Sequence, residues 1–245
     1  DRSFTPSNDA VTKHIVGLTY SQSFFEGKMQ NVFFAKDYVN HPNIRQTDQS
    51  SVTGSDKVQG STTKNYVGYG AGVRYMFLDP LALKVSFEHS VRLPVARELL
   101  GNGTTIYANV ALEPEKSNNL NLSVFGTWHP ATGHTLHYET NGFLRYVDNY
   151  IQTSVIEKEG MLQYVNDPAV HIKGVEGEIR YDWDGRLQFM ANVSYQDARD
   201  QQKYKEDGKP SATYDNHVPN RPWLFGSAEA SYTFRDLWKR GNRLR

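Results

Sequence analysis

The sequence has no cysteine, no net charge and no long apolar run, and each absence excludes a class of protein. Without cysteine there are no disulfides and no thiolate metal sites. Lysine plus arginine equals aspartate plus glutamate at 27 each, so we expect no nucleic-acid partner. No stretch approaches about 18 apolar residues, which excludes a membrane-spanning helix. Transmembrane strands remain compatible with the sequence, because each needs only about ten alternating residues.

Apolar and polar residues alternate over long stretches, which is the pattern of β-strands with two different faces. Around the bend at Asp79-Pro80, residues 64–78 and 81–93 place apolar side chains on one parity. Gly, Ser, Lys, Arg and Glu occupy the other parity. Val91 and Leu93 continue the apolar parity at its far end. Both runs exceed an ordinary strand of about 5–6 residues, so they predict long strands with one face in an apolar environment.

The same alternation along the chain predicts an all-β antiparallel meander of about ten strands. The predicted strands cover residues 13–25, 28–39, 64–78, 81–93, 118–129, 134–151, 161–183, 186–199 and 221–234, with a tenth beginning near Arg243. The polar stretches 41–64, 94–117 and 200–220 predict long loops. Mostly short bends alternate with mostly long loops, which is typical of bacterial outer-membrane barrels.

Aromatic residues gather near the short bends on the apolar parity, as in the aromatic girdle of a membrane barrel. They are Tyr75, Phe77, Trp128, Tyr181, Trp183, Tyr232 and Phe234. A soluble β-sandwich binding module is the alternative, since alternation alone fits both environments. The long strands, the girdle and the charged residues opposite the apolar face favour a transmembrane barrel whose partner is outer-membrane lipid.

Three segments resemble TonB-dependent outer-membrane receptors. Residues 89–126 carry Arg-x-Pro at Arg92 and Pro94, then Glu-Leu, then Asn-x-x-Leu-x-Pro-Glu beginning at Asn109. "HIKGVEGEIRYDW" (171–183) is similar to the family's Gly-Val-Glu strand, and "VPNRPWLFGSAEASYTF" (218–234) to its later Pro-Asn-x-Pro motif. The resemblance implies that these strands form part of a 22-stranded transmembrane β-barrel.

The resemblance also implies a protein larger than this chain. Such receptors close their barrel with an N-terminal plug and import iron chelates, haem, cobalamin or glycans, using energy passed on by the TonB protein. No plug or TonB box is recognisable, so we expect residues 1–245 to form a single segment of the barrel domain, with the plug and the remaining strands absent. The implied location is the outer membrane of a Gram-negative bacterium.

Ligand contacts in such a receptor would come from loop bases and from inward-facing positions near the outside. The predicted ligand-binding residues are Arg92, Arg97, Glu98, Tyr107 and Asn109. The two guanidinium groups suit an anionic chelate, whereas the alternative is that Arg92 and Glu98 only hold the loop base.

The cargo is also constrained by the resemblance. Haem receptors of the family carry a histidine between Arg-x-Pro and Asn-x-x-Leu, and residues 95–111 contain none. The expected cargo is therefore a ferric siderophore or a similar iron chelate, with a glycan or cobalamin as alternatives.

Motifs for bond chemistry are missing, so we expect no enzymatic activity and no cofactor. His129, His134 and His137 suggest a metal site, but His134 and His137 differ in parity and point to opposite faces. We therefore interpret the three histidines as polar turn residues, with no metal bound.

The loop 197–217 is rich in charged side chains. These are Asp197, Asp200, Glu206, Asp207, Asp215 and His217. We interpret them as solvated loop charges that keep an extracellular surface hydrophilic. If ten strands formed a complete protein, these residues would instead suggest a small omptin-like outer-membrane protease.

Overall fold

A computed structural model describes residues 10–47, 57–60, 63–102, 104–156, 160–204, 208–235 and 243–244. The elements are β1 (Ala10–Phe24), β2 (Met29–Thr47), β3 (Lys57–Gly60), β4 (Lys64–Leu78), β5 (Leu81–Arg92), α1 (Ala96–Leu100), β6 (Ile106–Tyr107), β7 (Glu115–Trp128), β8 (His134–Ile156), β9 (Met161–Trp183), β10 (Leu187–Asp200), β11 (Leu224–Tyr232), β12 (Phe234–Arg235) and β13 (Arg243–Leu244). Within these ranges no helix is long and apolar enough to cross a membrane.

One antiparallel path runs through the sheet in the order β1-β2-β4-β5-β7-β8-β9-β10-β11. Long strands that follow each other in the chain lie side by side, so that Val85 on β5 faces Val73 on β4 and Leu122 on β7. The turn between β9 and β10 has Asp184 at φ 49° and Gly185 at φ 63°, the left-handed backbone that a tight hairpin requires. This sequential pairing confirms the predicted meander.

The apolar face of the sheet has no second layer over it in the described part of the chain. Val85, Leu122 and Val193 are 47%, 52% and 52% exposed, although each lies well inside its strand. A β-sandwich would bury such residues between its two sheets. The sandwich alternative is therefore wrong, and the exposed apolar face is the surface that lipid covers.

Two rings of aromatic side chains border this apolar face. The short-turn ring is the predicted girdle, in which the rings of Tyr75 and Phe77 lie 4.7 Å apart and those of Tyr232 and Phe234 4.8 Å apart. His134, also at this level, stacks on Trp183 with ring centroids 5.8 Å apart.

The outer ring was not predicted from the sequence. It comprises three pairs on the same face, Tyr69–His89, Tyr146–His171 and Tyr195–Trp223, with centroids 5.3, 4.6 and 6.3 Å apart. On β9, ten residues separate His171 of the outer ring from Tyr181 of the short-turn ring, which corresponds to about 25 Å for a strand tilted by about 40°. That is the height of the lipid-facing band of an outer-membrane barrel.

The opposite face, here called the inner face, is polar and uses glycine to accommodate aromatic rings. A Cβ at Gly70 would come within 2.5 Å of the Phe34 ring, and one at Gly174 within 2.4 Å of the Phe143 ring. The glycines on the polar parity thus leave room for a ring from the neighbouring strand.

The outer ends of the strands differ from the prediction. Val91 and Leu93, expected on the lipid face, are 6% and 7% exposed and pack with Tyr38. The reason is that Val91, Leu93 and Tyr38 form a buried cluster with Tyr66 packed against it, so at this end the alternation no longer faces lipid. The predicted loop 41–64 is also partly strand, because β2 continues to Thr47 and β3 pairs with it.

Candidate ligand site at the outer end of the sheet

Residues 93–114, here called the 93–114 segment, connect β5 to β7 and carry α1 and β6. The sequence analysis predicted a loop here, but β6 pairs in parallel with β9, with Ile106 opposite Leu162. The side-chain amide of Gln163 donates to the carbonyl of Ala108 at 2.8 Å. The described residues of the segment therefore reach from β5 to the outer part of the β8–β9 hairpin.

Arg92 fixes the base of this segment through two carboxylates. Its Nε and Nη2 donate to Glu115 at 2.7 and 2.8 Å, and its Nη1 donates to Glu98 at 3.0 Å. Glu115 also accepts the backbone amide of Ile151 at 2.8 Å, and Glu98 that of Val95 at 2.8 Å. The hydrogen bonds to Glu115, together with the charges of both carboxylates, raise the pKa of Arg92, so its charge is permanent.

Lysines from two other strands add further anchors. Lys13 on β1 donates its Nζ to the carbonyl of Pro94, and Lys64 on β4 pairs with Glu113 at 2.6 Å. Partial burial of Lys13 lowers its pKa, an effect that the nearby Glu98 opposes. The segment is thus tied to β1, β4, β5 and β9.

Four of the five predicted ligand-binding residues have structural partners or are buried. Arg92 and Glu98 bind each other, Tyr107 is only 5% exposed in β6, and Asn109 donates its side-chain amide to the carbonyl of Tyr164 at 2.8 Å. Arg97 is exposed on α1, and no ion pair of its side chain occurs in the described ranges. The structure therefore gathers all five at one end of the sheet and leaves the Arg97 guanidinium facing solvent.

Sequence reasoning missed Asn166, which is central to this site. Its side chain accepts the amide of Glu113 at 2.8 Å and donates to the carbonyls of Glu113 and Asn149 at 2.9 and 2.8 Å. Glu113 and Asn166 are 53 residues apart, and the spacing of polar residues along one chain gives no signal for such a contact.

The three histidines near the β7–β8 turn have separate partners. His134 contacts the Tyr181 hydroxyl at 2.6 Å, His137 the Thr127 hydroxyl at 2.8 Å, and His129 the Thr135 hydroxyl at 3.3 Å. The described residues contain no group of three metal-binding side chains. The three imidazoles thus anchor the turn at the membrane boundary.

The prediction of solvated charges in the loop 197–217 is wrong for two of its residues. Asp197 and Asp200 are 6% and 8% exposed. Asp197 is surrounded by Arg199, Lys173 and His217, at 3.0, 3.5 and 3.2 Å. The interpretation missed this burial because the predicted loop begins inside β10. There, residues 215–218 form backbone hydrogen bonds with the end of the strand. Glu206 and Asp207 lie outside the described residues.

The family model described as "TonB dependent receptor-like, beta-barrel" matches residues 7–245. The chain belongs to this family. It is accordingly an outer-membrane protein of Gram-negative bacteria, and the match assigns its strands to the receptor barrel in place of an omptin-like one. No curated protein sequence matches the chain significantly.

Solved structures with the same fold are distant in sequence. The copper transporter OprC is 17% identical with a TM-score of 0.70, over 94% of this chain and 34% of OprC. The receptor HasR of Serratia marcescens, solved with its hemophore and heme, is 15% identical with a TM-score of 0.62, over 92% of this chain and 41% of HasR. The FrpB iron transporter of Neisseria meningitidis is 13% identical with a TM-score of 0.61, over 95% of this chain and 32% of FrpB.

These likenesses show the fold alone. The chain spans 34%, 41% and 32% of the three structures, and the expected total of 22 strands is consistent with them.

Proposed function

We propose that the chain is part of an active-transport receptor that binds a ferric siderophore or a similar iron chelate on the outer side and imports it with TonB-coupled energy. Membership of the receptor family over residues 7–245 is the observation that carries this proposal. The plug that would connect the receptor to TonB, and the remaining strands, would lie outside this segment. The receptor would bind and release its cargo without enzymatic chemistry.

The choice of cargo depends on residues of the 93–114 segment. The exposed guanidinium of Arg97 suits an anionic chelate, whose negative charge is carried by carboxylate or catecholate oxygens. The absence of histidine from residues 95–111 argues against haem. The similar structures include transporters named for copper and for iron and a receptor bound to a hemophore, so their shared fold does not choose between cargoes.

Uptake by cells that carry or lack the complete receptor tests the proposal. Iron-loaded chelates, copper, haem, cobalamin and oligosaccharides would each be supplied in labelled form. We expect deletion of the receptor to abolish uptake of one ferric chelate, and deletion of TonB to have the same effect. Loss of copper, haem, cobalamin or oligosaccharide uptake with every ferric chelate unaffected would contradict the assignment.

A further inference from the structure

Asp167 on β9 and Asp200 at the end of β10 are buried carboxylates on the outer side of the aromatic rings. They are 7% and 8% exposed. Asp167 lies beyond His171 of the outer ring, and Asp200 lies beyond Tyr195, so both are outside the lipid-facing band. Neither takes part in an ion pair within 4 Å in the described ranges, which is unusual because buried carboxylates are normally paired with a cation.

The charged neighbours of the two carboxylates are engaged elsewhere. Arg199 pairs with Asp197 and Asp215, and Arg221 donates to the Tyr150 hydroxyl at 2.6 Å. Other titratable groups on the surrounding elements include Arg145 and Asp148 on β8, His171 and Lys173 on β9, and Lys203 and His217 after β10. The charge of Asp200 acts on Asp167 and raises its pKa.

A buried acceptor beside Asp167 has no donor. Gln152 on β8 donates its Nε2 to Asp167 Oδ2 at 3.0 Å, while its Oε1 is buried without a hydrogen-bond partner in the described structure. Protonation of Asp167 would place a donor on the carboxyl group that the Gln152 amide already contacts. Burial and the charge of Asp200 also raise the pKa of Asp167 to about 6.

The carboxylates lie where the chain after β10 attaches to β9. The amide of Gln201 donates to the carbonyl of Ala169 at 2.8 Å, and that of Gln202 donates to Asp200 Oδ1 at 2.7 Å. The amide of Asp215 donates to the carbonyl of Asp200 at 2.8 Å. Charge on the carboxylate pair therefore bears directly on this attachment.

We propose that Asp167 and Asp200 form a proton-operated latch, which holds residues 201–204 and 213–218 against the outer ends of β9 and β10 while Asp167 is protonated and loosens when the proton leaves. Two buried anions with no ion-pair partner among the described residues repel each other and lose hydration, and opening the junction returns both to water. Because closure favours the protonated carboxyl, the closed junction is most stable below about pH 4 and weakens as the pH rises to about 6. The latch does not depend on which cargo the receptor carries.

Hydrogen–deuterium exchange of the complete receptor in nanodiscs at pH 4.5 and 7.5 tests the latch. After correction for the intrinsic pH dependence of exchange, the opening equilibrium measured by peptides covering 199–204 and 213–218 should be on the order of 20-fold larger at pH 7.5 than at pH 4.5. Peptides from β5 and β7 serve as the internal reference and should not change. Equal opening at both pH values in the unmodified receptor would overturn the proposal without any variant.

Two substitutions separate the latch from a general effect of pH. Asp167→Asn is neutral throughout, so it should remove the pH response and stay protected at both values. Asp200→Asn removes the neighbouring charge and should move the midpoint of the response to lower pH. Asp148→Asn is the matched control and should keep the unmodified response. Asp148 is an exposed carboxylate on β8 that lies opposite Ala169 on β9. A pH response that survives Asp167→Asn would also overturn the latch.

Discussion

The Arg92 guanidinium and the Glu115 carboxylate form a two-point ion pair, with Nε 2.7 Å from Oε2 and Nη2 2.8 Å from Oε1. The same carboxylate accepts the amide of Ile151, so one side chain links β5, β7 and β8. Glu98 and Glu115 retain only 12% and 14% side-chain exposure, which leaves little room for a ligand between them and Arg92. The geometry favours an anchoring role for Arg92, and this role can be tested separately from ligand binding.

Arg92→Lys should weaken the anchor while keeping the charge. A lysine cannot make the forked contact, so part of the hydrogen bonding of Glu98 and Glu115 would be lost, at a cost of about 1–3 kcal/mol. Urea unfolding of the complete receptor should show this loss, and exchange at residues 95–115 should quicken. Arg97→Lys, an exposed arginine on the adjacent helix, is the control and should leave both unchanged. Equal stability of the two variants would contradict the anchoring role.

Arg97→Gln should affect the ligand and not the fold. If Arg97 meets an anionic chelate, removing its charge should weaken binding by about 10- to 100-fold, since a charge-assisted hydrogen bond contributes on the order of 1.5–3 kcal/mol. Titration of the complete receptor with the transported ferric chelate measures this, and an unfolding curve confirms the fold. Arg186→Gln, at a short turn on the opposite side of the membrane, removes one charge without approaching the site. Unchanged affinity in Arg97→Gln would remove this residue from the ligand site.

A charge on the lipid face should cost more than the same charge on the inner face. Leu122 lies on the lipid face of β7 and is 52% exposed, so Leu122→Arg should destabilise the barrel by about 2–4 kcal/mol. Its neighbour Asn121 is on the inner face, where its amide contacts Ser86, and Asn121→Arg should cost much less because the guanidinium meets water. Unfolding of the two variants in lipid vesicles compares them, and equal destabilisation would contradict the orientation of the sheet.

The orientation of the strands could be predicted because it depends on a local property. Alternation puts Val85 and Leu122 on the same face whatever the rest of the chain does, and the register pairs them across β5 and β7. The alternation fails at Val91, because there the side chain packs with Tyr38, Leu93 and Tyr66 and does not face lipid. Alternation therefore predicts which side chains face lipid only for strand residues within the lipid-facing band.

The candidate site could be predicted only in part, because its contacts join distant parts of the chain. The family motif contains Arg92, Glu98 and Glu115, but it did not predict that both carboxylates bind Arg92, because Glu115 is 23 residues away along the chain. Burial of Asp167 and Asp200 likewise depends on how the chain after β10 packs against β9. An acidic residue in a polar stretch gives no indication of burial until that packing is known.

Gly174→Ala should destabilise the sheet although alanine is the smallest change available. A Cβ at Gly174 would come within 2.4 Å of both the Phe143 ring and the carbonyl oxygen of Tyr195, so the ring and the β9–β10 pairing would have to shift. Such overpacking costs about 1–3 kcal/mol. Phe143→Ala should relieve it only partly, because the Tyr195 carbonyl belongs to the backbone. Gly142→Ala, on the neighbouring strand with open space around its Cβ, is the control and should be neutral or slightly stabilising. Urea unfolding of the complete receptor measures all three, and a neutral Gly174→Ala would show that the ring does not pack over this glycine.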